Sequence, residues 1–104
     1  MEQRRAKRIT AGFKTEIIYK NLSYTGVIEN LSASGASVLT DPINTEVEFV
    51  SYEAADLKFV APSGDEITLE CTIMWSSPIP PHNVRYRIGM ELVGRPWDKI
   101  SFFL

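Results

Sequence analysis

The segment Arg4-Arg5-Ala6-Lys7-Arg8 puts four cations into five consecutive residues, ahead of any stretch with hydrophobic periodicity. A guanidinium is a planar fork of donors that pairs bidentately with phosphate oxygens, or with the O6 and N7 edge of guanine. A guanine nucleotide offers both targets. Arg4 and Arg8 stand at i and i+4, with Arg5 as an additional cation in the same run. Taken alone, such a run is ordinarily a solvated tail. The second polar constellation is Asn30-Leu31-Ser32-Ala33-Ser34-Gly35, at the junction of two extended stretches. Its structural account is a turn closed by Asn and Ser side chains, with positive φ at Gly35. Its functional account has Asn30 and Ser32 presenting an amide and a hydroxyl to a nucleotide, while Gly35 permits close approach.

Charge narrows the choice of partner. The chain of 104 residues carries a net charge of -2, yet residues 1–20 hold six basic against two acidic side chains, leaving the remainder at -6. An acidic body with a cationic arm argues against a general nucleic-acid binder, which spreads positive charge over a face. Local capture of a small anion suits it better. Cys71 and His82 are single copies, too few for a disulfide or a structural zinc site, so no metal and no cofactor are expected. The N-terminus passes into amphipathic sequence without the apolar stretch of a secretory signal, and no apolar run is long enough for a membrane span. A cytoplasmic location fits.

The elements that must position these residues read as strands. Ile67, Leu69, Cys71, Ile73 and Trp75 alternate with Glu66, Thr68, Glu70 and Thr72, the pattern of a half-buried strand. Val84, Tyr86, Ile88, Met90 and Leu92 are expected inward on a second strand, with Arg85, Arg87 and Glu91 outward; the loop containing Pro78, Pro80 and Pro81 makes the two antiparallel neighbours. Phe13, Thr15, Ile17 and Tyr19 form an earlier strand, followed by extended stretches near 24–31, 36–40 and 56–61, with a turn at Ser63-Gly64-Asp65. Residues 44–56 fit a strand edge or a helical turn equally well. Trp97, Ile100, Phe103 and Leu104 have helical spacing behind Pro96, which predicts a short C-terminal helix. Six or so short strands imply an all-β barrel or sandwich, in one domain over 13–104 behind a flexible basic arm over 1–12.

The two polar motifs together resemble the PilZ family, marked by an R-x-x-x-R arm followed about twenty residues later by a D/N-x-S-x-x-G turn. Arg4 and Arg8 match the first pattern, Asn30, Ser32 and Gly35 the second, and 21 residues separate Arg8 from Asn30. Thr72-Ile-Met-Trp75 and Arg87-Ile-Gly-Met-Glu-Leu92 look like that family's late strands, so the resemblance extends over essentially the whole chain. It implies a six-stranded antiparallel β-barrel and a receptor for cyclic di-GMP, without catalysis, that passes its signal to a protein partner. The ligand-binding set is then Arg4, Arg5, Arg8, Asn30, Ser32 and Gly35. Arg5 follows the first motif position, where the family often has an arginine before it, which leaves ligand stoichiometry open. The alternatives are a barrel of this type acting as a protein-interaction module without nucleotide, and a single-strand nucleic-acid binder.

Other chemistry-bearing residues have plainer accounts. Trp75 and Tyr86 read as core. His82, in a proline-rich loop, has no organised partner nearby, and Cys71 reads as a buried, unreactive thiol. Arg85 and Arg87 are expected to pair with Glu66 or Glu70 across the sheet. No nucleophile with an evident base is present, so the chain is not expected to be an enzyme.

Overall fold

Alternation of apolar and polar residues carries through most of the chain, and in the computed structural model, which describes residues 9–94, each such run is a strand. They are β1 (Ile9–Tyr19), β2 (Leu22–Leu31), β3 (Gly35–Thr40), β4 (Ala54–Val60), β5 (Glu66–Pro78) and β6 (Tyr86–Leu92). All neighbours are antiparallel, and the order β1-β2-β3-β6-β5-β4 closes on itself as a barrel. Ile17, Ile28, Val38, Leu57, Leu69, Ile73 and Ile88 point inward and are fully buried, forming one core from all six strands. Among the described residues no helix is present. The expected C-terminal helix, with Trp97 and Phe103, falls outside the described residues, as does residue range 1–8.

Strand β1 begins at Ile9, four residues before the expected boundary. Ile9 pairs with Leu31 and Thr10 with Asn30, so part of the segment assigned to the arm belongs to the sheet. A bulge between Thr10 and Phe13, with Gly12 at φ 86°, breaks the alternation there and hides the strand's start. The β1–β2 connection is two residues, Lys20 and Asn21, both at positive φ, as a tight hairpin turn requires.

Residues 41–53 form neither strand nor helix. They cross one end of the barrel, where the buried Phe49 ring packs between those of Tyr19, Tyr24 and Tyr86 at centroid distances of 5.4–5.6 Å. The Val50 amide donates to the Tyr19 hydroxyl at 3.1 Å, and that hydroxyl donates to Glu53. Phe49 therefore acts as a plug, and its burial sets the path of the loop. Val84, expected inward, is exposed and precedes β6; its carbonyl accepts from the Ile43 amide in this loop instead of a strand neighbour.

Candidate functional site

Two bulges decide which side chains face outward near the β2–β3 turn. In β2, Ile28 pairs with Val38 but Asn30 pairs with Ser37, so Glu29 is an extra residue. Regular alternation from the buried Ile28 would turn Asn30 into the core; the bulge turns it out and returns Leu31 inward. In β5, Ile73 pairs with Met90 and Trp75 with Gly89, leaving Met74 extra. Trp75 is consequently 47% exposed, which corrects its assignment to the core, and Ser76 takes over the inward position opposite Ile88.

The registers then align one outward row across four strands: Asn30 on β2, Ser37 on β3, Gly89 on β6 and Trp75 on β5. The nitrogen-bearing edge of the indole lies over Gly89, since a Cβ there would sit 2.2 Å from Nε1 and 2.3 Å from Cε2. Only glycine admits it. The row floors a surface groove of about 310 Å³, walled at one end by Ser32, Ser34 and Gly35 and along one side by Met74 and Trp75. A larger depression, about 560 Å³, lies over β1 between Lys14, Glu16, Lys58 and Glu66. It mixes both signs of charge and includes none of the motif residues, so the smaller groove is the candidate.

The turn at the groove's end is held by the Ser32 amide, which donates to the Gly35 carbonyl at 2.9 Å. The Ser32 hydroxyl makes only long contacts, at 3.4 Å, to Gly35 O, Ser34 N and Ser34 Oγ, which leaves it available to a ligand. The Asn30 amide group makes no hydrogen bond to another described residue. Gly35 does not have the expected positive φ. It opens β3 opposite Glu91, and a Cβ would lie 2.7 Å from the Met90 carbonyl oxygen, so close approach of β6 is what demands glycine.

Arg87 pairs with neither Glu66 nor Glu70. The β5–β6 hairpin sets Arg87 beside Ser77, at the opposite end of β5 from those carboxylates. It reaches across β3 to Glu29 instead, donating from Nε to Oε1 at 2.8 Å and from Nη2 to Oε2 at 3.2 Å. These hydrogen bonds hold the Glu29 carboxyl below its usual range, against partial burial. Arg85 donates from Nε to the Thr40 carbonyl at 2.9 Å. Cys71 is buried, and burial with Asp56 nearby pushes its thiol up to about 12, as an inert side chain requires. Among the described residues no group of three or more His, Cys, Asp or Glu side chains could hold a metal, and no helix is long and apolar enough to cross a membrane.

Arg4, Arg5 and Arg8 lie outside the described residues, so the groove holds Asn30, Ser32 and Gly35 of the expected set and adds Ser37, Met74, Trp75 and Gly89. A protein-family model described as PilZ domain matches residues 2–96. The chain belongs to the PilZ domain family. Solved PilZ structures share its fold: the inhibitor of motility MotI/DgrA of Bacillus subtilis matches with a TM-score of 0.75 at 18% identity, covering 100% of this chain and 49% of that one. The MrkH–c-di-GMP complex of K. pneumonia matches at 0.64 and 21% identity, covering 95% and 48%, so this PilZ chain spans about half the length of both. The PilZ domain of Escherichia coli YcgR with c-di-GMP matches at 0.67 and 14% identity, covering 89% and 79%. No curated protein matches the sequence.

Proposed function

We propose that this PilZ domain is a cytoplasmic receptor for cyclic di-GMP, which lies in the groove beneath the N-terminal arginines and acts as a signal rather than a substrate. The observation that carries the reading is the pairing of Ile9 with Leu31 and of Thr10 with Asn30, because it joins the arm to the barrel beside the Asn30–Gly35 turn. Arg8 precedes Ile9 directly and Arg4 lies five residues away, a reach of at most about 18 Å before the side chain is counted. Arginine forks would close on phosphates or guanine edges while Asn30 and Ser32 supply neutral hydrogen bonds from below. Trp75, 47% exposed at the groove, offers an aromatic ring on which a base would stack. Two of the related structures are described as c-di-GMP complexes, which adds support.

Calorimetric titration with cyclic di-GMP, beside guanosine monophosphate and a single-stranded oligonucleotide, tests this. Charge-assisted bonds contribute about 1.5–3 kcal/mol each, so Arg4→Ala or Arg8→Ala should weaken binding about ten- to a hundredfold, and Arg5→Ala less. Equal losses at all three positions that vanish at high salt would reduce the arm to diffuse charge. Absence of cyclic di-GMP binding by the unmodified chain would leave a protein-interaction module.

A further inference from the structure

One cation of the barrel stands at the margin of the groove and outside the two sequence motifs. Arg87 lies two residues before Gly89 on β6, about 7 Å from it along the strand, and Glu29 directly precedes Asn30 on β2. To meet Glu29, the Arg87 side chain crosses the outward face of β3, where Gly35, Ser37 and Leu39 follow one another at two-residue steps. Ser37 floors the groove and Gly35 walls one end, so the guanidinium flanks the opposite end.

Glu29 takes one edge of that guanidinium, through Nε and Nη2. The edge formed by Nη1 and the second N–H of Nη2 keeps a further parallel pair of donors, with no hydrogen bond to another described residue. The Arg87 side chain is 44% exposed, so this edge is open to a ligand. The carboxylate also fixes the plane of the fork beforehand, which leaves less side-chain freedom to be lost on binding. A guanidinium has donors and no acceptor, unlike a hydroxyl or a side-chain amide. Its fork matches the two acceptors O6 and N7 of guanine, whereas adenine would meet it with an amino donor. Phosphate oxygens would satisfy it too, but the adjacent Glu29 carboxylate repels an anion and does not repel a neutral base edge. We infer that Arg87, oriented by Glu29, reads the O6 and N7 edge of a guanine bound in the groove. The inference rests on the cyclic di-GMP reading and adds to it a residue that recognises the base.

The test is calorimetry on the full chain with cyclic di-GMP and with its 7-deazaguanine analogue, which lacks the N7 acceptor. The unmodified chain should bind the analogue about tenfold more weakly. Arg87→Ala should weaken cyclic di-GMP about ten- to a hundredfold and narrow the gap between the two ligands. Arg87→Met, which keeps a stem across β3 without the donors, should do the same, and it serves where alanine loosens the barrel. Equal losses for both ligands would put Arg87 on a phosphate and overturn the assignment. So would unchanged affinity for cyclic di-GMP, which leaves the residue a surface ion pair and the receptor reading intact. If the unmodified chain binds no cyclic di-GMP, the receptor reading itself fails and this inference with it.

Discussion

Gly35→Ala separates two explanations of the motif glycine. The missing Cβ would sit 2.7 Å from the Met90 carbonyl oxygen, 0.7 Å short of the 3.4 Å at which ordinary contact begins. The obstacle is backbone at the first rungs of the β3–β6 ladder, and it cannot swing aside as a side chain would. Relief requires the two strands to part locally, an overpacking strain of about 1–3 kcal/mol. For a domain of this size each kcal/mol lowers Tm by about 4–8 °C, so Gly35→Ala should melt measurably earlier by circular dichroism without any ligand. Gly35→Asn should fare no better, because tolerance of positive φ is irrelevant there. Gly64 supplies the contrast: its φ is 94° and a Cβ would meet nothing within 4 Å, so Gly64→Asn should be milder than Gly64→Ala. A Gly35→Ala protein as stable as the parent, or rescue by Gly35→Asn, would refute the steric account.

Trp75→Ala should cost about 1–3 kcal/mol of cyclic di-GMP affinity if a base stacks on the indole. Gly89→Ala should displace the ring and shift Trp75 fluorescence, read in a Trp97→Phe background; unchanged emission would contradict the contact over Gly89. The Glu29 pKa is lowered in the folded state, so its pairing with Arg87 contributes stability above the ordinary value of 4.5 and loses it as pH falls through the lower folded value. Urea midpoints of the parent and Glu29→Gln should therefore differ at neutral pH and converge in acid, once the pH is below the lowered folded value. With its thiol raised to about 12, Cys71 should react with a disulfide reagent at pH 8 only at the rate of barrel opening; immediate reaction would show the thiol to be accessible.

Much of the barrel was legible because strand periodicity is local. The alternation from Ile67 to Ile73 appears unbroken in the structure, and buried Cys71 follows from it. Trp75 was misread for a physical reason: Met74 is an extra residue, and a single insertion inverts every side chain beyond it while the letters continue to alternate. The same device on β2 went unnoticed because Asn30 was read from its motif rather than from its parity with Ile28. Residues 41–53 carry no period at all; the reason for their path is Phe49 meeting three tyrosines from β1, β2 and β6, contacts that no local window contains. Arg87 was paired with carboxylates on its hairpin partner, whereas Glu29 lies 58 positions earlier. Only the strand order brings them together.

That strand order also fixes when the groove comes into being. Its floor crosses the β3–β6 seam, where Ser37 meets Gly89 across 52 positions of chain, and it takes Trp75 from the strand beyond. Pairings so distant in sequence carry a large loop-closure cost and form late, after the local β1–β2, β2–β3 and β4–β5 hairpins can already exist. A partly folded chain therefore contains the Asn30–Gly35 turn without the surface beside it. A ligand that needs both recognises only the closed barrel, and by mass action it lowers the population of every species in which the last strand is unzipped.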